Sequence, residues 1–274
     1  MLKNFAPLFR RFLLFAAKAT KWFLLLSLLW VALHRFVPIP ATPLMLQRCF
    51  EHKLAGEEMR LEHDWVPLGQ ISPYLQLAVV CSEDQNFLVH DGLDFEAIED
   101  AQKANKRNQK RKRGASTIPQ QTAKNVFLWP ARSWTRKGFE VYFTALIEVG
   151  WSKPRIMEAY LNSIEMGDGV YGVEAASRKF FGKPAAKLTP EEAALIAACL
   201  PNPLKMNLAK SRGQGLLRRQ KAILRQMQLW GMQLDYSQEE LHFSWAHLVA
   251  LLLVPIMLVG IFFLEKKWQT PSTP

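Results

Sequence analysis

The chain has 274 residues, and its 35 Lys and Arg against 24 Asp and Glu give a net charge of +11. A content of 49% hydrophobic and 22% charged residues excludes a collagen-like or wholly disordered chain. The three cysteines, Cys49, Cys81 and Cys199, lie far apart without CxxC or Cys/His spacing, so neither a disulfide framework nor a structural zinc site is indicated. One disulfide pair remains open if the domain is exported.

The first predicted element is an apolar stretch near the N-terminus, Trp22–His34, which contains no acid and no fixed cation. It predicts an uncleaved transmembrane anchor within residues 1–40. A signal peptide is the competing interpretation, but Pro38, Pro40 and Pro43 crowd the place where a peptidase would cut.

Residues 41–242 form the predicted outer domain, and almost every signal in them is helical. Thr117 and Thr189 each begin a capping-box pattern, with an early proline and a Gln or Glu three residues later. Further helices are predicted over 134–149, 153–163 and 212–230, the last ending before a glycine. No alternating strand run of useful length is present, so the predicted fold class is mainly α with little sheet.

Two acids, Glu83 and Asp84, follow the apolar run Leu75–Cys81. A carboxylate at the end of a buried element is partly desolvated, which raises its pKa toward a value useful for a general base. The alternative is an acidic helix terminus, with His90 merely hydrogen-bonded in a turn. The charge pattern alone favours that alternative.

In the segment Gly114–Asn125, a glycine-containing stretch leads into the predicted helix start at Thr117. Free N–H groups at that start, with Lys124 one turn after Gln120 on the same face, suit a phosphate. A capped structural helix with a solvated lysine is the alternative, and composition does not reject it.

Arg136 and Glu140 are i,i+4 neighbours, with Lys137 beside them. On a solvent-exposed face, Arg136 and Glu140 would form a surface ion pair that contributes little to stability. If this helix face lines a cleft instead, Arg136 and Lys137 could bind a pyrophosphate while Glu140 faces a sugar. In the next polar cluster, Glu158 is interpreted as a structural hydrogen-bond partner and Tyr160 as a core residue.

A second apolar stretch, 243–264, is long enough to cross a bilayer and is predicted to be a second transmembrane helix, followed by a tail at 265–274. A buried core helix is the alternative, but it is hard to place in a domain this small. Cations precede the first span and follow the second, so both termini are expected in the cytoplasm and the domain between them in the bacterial periplasm. Those cations are Lys3, Arg10, Arg11, Lys18, Lys21, Lys266 and Lys267.

Taken in order, these segments resemble the peptidoglycan glycosyltransferase family, in its monofunctional form because no transpeptidase domain follows. The match runs through ED-x-x-F-x-x-H-x-G at Glu83–Gly92, G-x-STI-x-QQ-x-x-KN at Gly114–Asn125, RK-x-x-E at Arg136–Glu140 and E-x-YLN at Glu158–Asn162. It covers about residues 65–230, and an ordered set of motifs is far more specific than any one of them.

The resemblance implies a lysozyme-like helical lobe with a small jaw lobe beside the membrane. The chain departs from the family pattern at Pro119, where a hydroxyl residue is usual, and in its C-terminal apolar stretch, which is added to a single-anchor plan.

The resemblance also implies polymerisation of lipid II into β-1,4-linked glycan with inversion. The donor is the growing strand on undecaprenyl pyrophosphate, and Glu83 is the general base that takes the proton of the acceptor 4-hydroxyl. Pyrophosphate is a good leaving group, so cations replace a strong general acid. Glu140 orients the donor or stabilises positive charge at its sugar. The remaining motif residues bind substrate or support the site: Asp84, Ser116, Gln120, Gln121, Lys124, Asn125, Arg136 and Lys137.

Assistance by Mg²⁺ or Mn²⁺ is left open, and no organic cofactor is expected because neither a dinucleotide loop nor a DxD motif is present. Seven cations fall within residues 103–113. This run is a solvated loop, a nucleic-acid patch or, as the implied function favours, a segment near the bilayer that recruits lipid pyrophosphates. Anionic membrane lipids are therefore expected partners, nucleic acid is not, and cell-wall synthesis or division proteins stay open.

The sequence leaves two other functions open. A membrane-bound lytic enzyme would also place a glutamate at a helix end, but a hydrolase of neutral sugar bonds has no pyrophosphate to hold. An inactive scaffold for cell-wall enzymes is the second rival, and the intact Glu83 and Glu140 argue against it.

Overall fold

The computed structural model describes residues 5–107, 114–131, 133–204 and 213–238. Its described part is mainly α-helical, as the sequence predicts. The α-helices are α1 Phe5–His34, α2 Pro43–Leu54, α3 Pro73–Glu83, α4 Phe95–Arg107, α5 Ile118–Phe127, α6 Trp134–Gly150, α7 Lys153–Ser163, α8 Val173–Phe181, α9 Pro190–Cys199 and α10 Gln214–Leu229. The described sheet is small and has the order β1-β3-β2, with β1 parallel and β2 antiparallel to β3. Its strands are β1 Glu62–His63, β2 Glu165–Gly167 and β3 Val170–Tyr171.

Helix α1 contains one stretch, Leu14–His34, that is long and apolar enough to cross a membrane. Only 11% of its most apolar window is buried against the rest of the protein, so its apolar side chains are available to lipid. The stretch is longer than the predicted Trp22–His34 because it includes Lys18 and Lys21, which the sequence analysis places before the span. The predicted second span at 243–264 lies outside the described residues.

Helix α1 is packed against α6, the helix that carries Arg136 and Glu140. The ring of Phe23 lies 5.5 Å from that of Tyr142, and the hydroxyls of Ser27 and Tyr142 are hydrogen-bonded at 2.7 Å. Near the end of α1, the indole N–H of Trp151 donates to the carbonyl of Val31 at 2.9 Å. Helix α1 is therefore joined to the rest of the domain by specific side-chain contacts as well as by the chain.

Two groups of helices form the core. Helix α3 packs against α9 and α10, while α5 packs against α6 and α7. Helices α3 and α9 are buried almost all round, which is why their sequences are apolar without a clear polar face. Both predicted capping boxes are present, at Thr117 and Thr189, and Pro119 occupies the first turn of α5. The three other predicted helices match α6, α7 and α10 to within two residues at each end.

Candidate active site

Glu83 is the last residue of α3, and its side chain is 13% exposed. Its Oε2 accepts a hydrogen bond from the amide of Gln121 at 3.1 Å, and its Oε1 accepts one from the hydroxyl of Ser82 at 3.2 Å. The guanidinium of Arg219, on α10, lies 3.4 Å from Oε1. Burial raises the pKa of Glu83, and these three partners oppose the rise. Glu83 is therefore a stronger proton acceptor than an exposed glutamate.

Asp84 is buried and fully engaged with the protein. Both of its oxygens lie 2.9 Å from Nε2 of His90, and one also accepts from the backbone N–H of Ile118. Because Nδ1 of His90 accepts from the N–H of Gly92, Nε2 carries the proton that is donated to Asp84. Asp84 thus ties the segment after α3 to the start of α5, and of the two neighbouring acids only Glu83 is turned toward the helix face that carries Gln121.

The start of α5 supplies both structural and site residues. Gln120 is 3% exposed and its oxygen accepts the N–H of Thr117, so its side chain closes the capping box. Gln121, one position later, donates to Glu83 and to the carbonyl of Ser116, and it accepts from the hydroxyl of Tyr160 at 3.4 Å. Gln120 therefore supports the helix, whereas Gln121 holds Glu83.

A cleft of about 530 Å³ opens on one side of Gln121. Lys124, Asn125 and Arg136 line it, together with Arg48 and Glu165. The side-chain amine of Lys124 makes no hydrogen bond or ion pair with a described residue, and Lys124 is exposed in the cleft. Burial by the surrounding walls lowers the pKa of Lys124, and the carboxylates of Glu140 and Glu83 oppose this. An anion entering the cleft would therefore meet a cation without a counter-ion of its own.

Glu140 lies behind this cleft and is 3% exposed. Its two oxygens pair with Arg136, at 2.6 Å, and with Lys137. The surface ion pair considered from the sequence is thus a buried one. The Nε of Arg136 is buried without a partner among the described residues, so this guanidinium has an unused donor. Glu140 fixes two cations in place rather than standing free to meet a sugar.

A second cleft, of about 570 Å³, opens on the other side of Glu83. Glu83 and Ser116 line it, along with the acidic side chains of Asp94, Glu96 and Asp100. The predicted site residues are therefore divided between two clefts. Among the described lining residues, one cleft has mostly cations and the other has carboxylates, with Gln121 lining the first and Glu83 the second. Lys137, Gln120 and Glu140 line neither cleft.

Sequence reasoning missed two arginines. Arg219 reaches Glu83 from α10, and Arg48 reaches the basic cleft from α2. Neither belongs to a recognisable pattern, since each is brought to the site only by folding. The structural interpretation of the E-x-YLN segment is confirmed: Glu158 accepts from the backbone N–H of Leu68, and Tyr160 is fully buried.

The basic run 103–113 is described only as far as Arg107. Within that part, Lys103 forms an exposed ion pair with Glu99 at 2.7 Å.

The described residues contain no group of three His, Cys, Asp or Glu side chains that would hold a metal ion.

Comparison with known proteins gives consistent matches. A family model described as Transglycosylase matches residues 51–228. A Bacteroides thetaiotaomicron protein named biosynthetic peptidoglycan transglycosylase is 53% identical over 220 residues, which is 80% of this chain and 88% of that protein. Proteins of the same name from Bdellovibrio bacteriovorus and Yersinia pestis are 56% and 53% identical over 191 and 207 residues. These alignments cover 70% and 74% of this chain, and 76% and 86% of the relatives.

Proposed function

This chain belongs to the transglycosylase family and is a peptidoglycan glycosyltransferase of cell-wall biosynthesis, and from that premise we propose that it polymerises lipid II into β-1,4-linked glycan strands. The donor is the growing strand on undecaprenyl pyrophosphate, and the acceptor is the 4-hydroxyl of the N-acetylglucosamine of lipid II. The observation that carries this proposal is the position of Glu83, a burial-strengthened base, beside a cleft lined by cations.

Glu83 is the general base in this proposal. It takes the proton of the acceptor hydroxyl as the oxygen attacks the anomeric carbon of the donor, and the bond to the diphosphate breaks on the opposite face, which inverts the configuration. The hydrogen bond from Gln121 holds Oε2 in place for this step. A base fixed by a partner loses less entropy when it meets its substrate.

Lys124 and Arg136 bind the diphosphate of the donor. Negative charge on that group grows as the glycosidic bond breaks, and cations already in place stabilise it without reorganisation. Since the diphosphate leaves as a stabilised anion, no carboxylic acid has to protonate it. Lys137 and Glu140 orient Arg136, and Asn125 and Ser116 contact the substrate from the two clefts.

In this proposal, Glu83 accepts the proton, and Lys124 and Arg136 stabilise the leaving diphosphate. A divalent ion carried by the substrate diphosphate stays a prediction, since Mg²⁺ commonly binds through phosphate oxygens and only one or two carboxylates.

Helix α1 anchors the domain to a membrane, and we place the domain on the periplasmic face of the inner membrane with the N-terminus in the cytoplasm. The support is Arg10 and Arg11, which precede the apolar stretch of α1. A substrate with its lipid tail in the bilayer then reaches the clefts without leaving the membrane surface. Contacts with anionic lipids and with cell-wall synthesis or division proteins stay predictions.

Purified full-length protein incubated with lipid II in detergent tests the proposal. Release of undecaprenyl pyrophosphate together with lysozyme-sensitive glycan strands supports polymerisation. Shortening of purified sacculus glycan, with no product from lipid II, would instead support the lytic alternative, which the comparisons do not favour. No product from lipid II and no shortening of sacculus glycan would support a scaffold role.

A further inference from the structure

Helix α2, Pro43–Leu54, presents two unlike faces. Leu44 and Arg48, one helical turn apart, line the basic cleft beside Lys124 and Arg136. On the remaining surface, the exposed apolar side chains also recur at one-turn spacing: Leu46, Phe50 and Leu54 are 57%, 68% and 83% exposed. A helix in this orientation turns a cation toward the cleft and an apolar stripe away from it.

The guanidinium of Arg48 has an N–H donor without a hydrogen-bond partner among the described residues. Its Nη1 pairs with Glu51 at 2.8 Å, and the Glu51 side chain is 44% exposed. Its Nε is buried and has no partner among the described residues. A buried N–H without an acceptor is costly, and an oxygen arriving from the cleft removes that cost. A guanidinium also presents its donors as a fork that fits phosphate oxygens.

The charge of the cleft fits a diphosphate diester. Among the described lining residues, three are cations, Arg48, Lys124 and Arg136, and one is a carboxylate, Glu165. The described lining therefore carries more cations than carboxylates, which suits the two negative charges of a diphosphate that links a lipid to a sugar.

The position of α2 in the chain supports the same ligand. Only residues 35–42 separate it from the membrane-spanning α1, so α2 begins close to the bilayer surface. A diphosphate between a lipid tail and a sugar must lie at that surface when the sugar is in the site. Arg48 lies outside residues 51–228, so no motif within the matched family region assigns it a role.

We propose that Arg48 binds the diphosphate of the lipid-linked sugar in this cleft, as a third cation beside Lys124 and Arg136. This inference rests on the proposed function. The headgroup phosphate of an anionic phospholipid offers the same chemistry, so the experiment has to separate the two sources of phosphate.

The test compares Arg48→Gln with Lys53→Gln in the full chain. Lys53 is exposed on the same helix, carries the same charge and does not line the cleft, so it is a matched control. Initial rates of lipid II polymerisation are measured in a nonionic detergent without phospholipid. We expect the KM of Arg48→Gln to rise about tenfold with kcat within about threefold of wild type, since one charged hydrogen bond is lost. Lys53→Gln is expected to match wild type.

Inorganic pyrophosphate serves as a second probe. As a competitive inhibitor, it is expected to bind Arg48→Gln about tenfold more weakly than wild type, and Arg48→Lys is expected to recover part of the loss. Equal KM values for the Arg48→Gln and Lys53→Gln proteins would overturn the proposal. So would a difference that appears only on vesicles containing phosphatidylglycerol, because it would assign Arg48 to headgroups.

A further variant covers the case in which Arg48→Gln fails to fold. Glu51→Gln removes the partner of Arg48 but keeps the cation, so its KM should equal or fall below that of wild type. An increase in KM would contradict the proposal. Failure of the wild-type protein to polymerise lipid II would instead overturn the proposed function itself, which keeps the two results distinguishable.

Discussion

The side-chain amide of Gln121 donates a hydrogen bond to Glu83 at 3.1 Å, and Gln121 also lines the cleft that holds Lys124. One side chain therefore joins the proposed base to the proposed diphosphate cleft. An acceptor hydroxyl at Glu83 and a leaving diphosphate at Lys124 would lie on either side of Gln121, which is the arrangement that an in-line displacement requires.

Glu83→Gln is expected to abolish activity without loss of stability. General-base catalysis contributes about 10²- to 10⁴-fold, so the polymerisation rate should fall by that factor. Because burial raises the pKa of Glu83, the folded protein favours its protonated form, and ionisation costs stability as the pH rises through that pKa. The thermal midpoint of the variant in detergent should therefore equal or exceed that of wild type at neutral pH. A lower midpoint would contradict the assignment of a carboxylate that burial destabilises in its ionised form.

Arg219→Gln is expected to move the acidic limb of the pH–rate profile to higher pH. Arg219 lies 3.4 Å from Glu83 and favours its ionised form, so removal of the cation raises the pKa of Glu83 further. Activity at a pH well above the limb should return to within about threefold of wild type. Arg225→Gln, at an exposed position of the same helix, is the control. A uniform loss at every pH would show that Arg219 acts in some other way.

Lys124 should set the alkaline limb of the same profile. Burial lowers the pKa of Lys124, so it loses its proton, and with it the charge that holds the diphosphate, at a lower pH than an ordinary lysine. Lys124→Met should reduce kcat about 10²- to 10³-fold, as loss of one charge-stabilising donor does.

Lys124→Arg should keep part of the activity and move the alkaline limb upward, since a guanidinium stays protonated. The exposed Lys187→Met is the control for loss of charge alone. If Lys124→Arg retained the wild-type limb, another group would be responsible for it.

Gly92→Ala is expected to destabilise the fold beside the site. Gly92 has a φ of +85°, and an added Cβ would lie 2.8 Å from side-chain carbons of both Glu148 and Thr144. Backbone strain and overpacking together should cost about 3 kcal/mol of unfolding free energy. Gly56→Ala, at a φ of +73° with nothing within 4 Å, should show only the strain, about 1 kcal/mol. Similar thermal shifts for the two variants would contradict the close packing at Gly92.

Local interactions were predictable from the sequence. The capping boxes at Thr117 and Thr189 and the grouping of Arg136, Lys137 and Glu140 all involve residues three or four positions apart, and helical geometry alone brings such residues together. The candidate membrane span Leu14–His34 is longer than the predicted Trp22–His34 because it includes Lys18 and Lys21.

The amino-acid order by itself determined the mainly α fold, the helix starts, the apolar anchor and the family motifs, because each depends on side-chain spacing along one element. Only tertiary packing decided which helices contact one another. Burial against neighbouring helices raises the pKa of Glu83, and chain folding brings Arg219 to it from 136 positions away. The same packing turned Asp84 and Gln120 into structural residues and brought Arg48 into the cleft, since desolvation and long-range contact exist only once the helices are assembled.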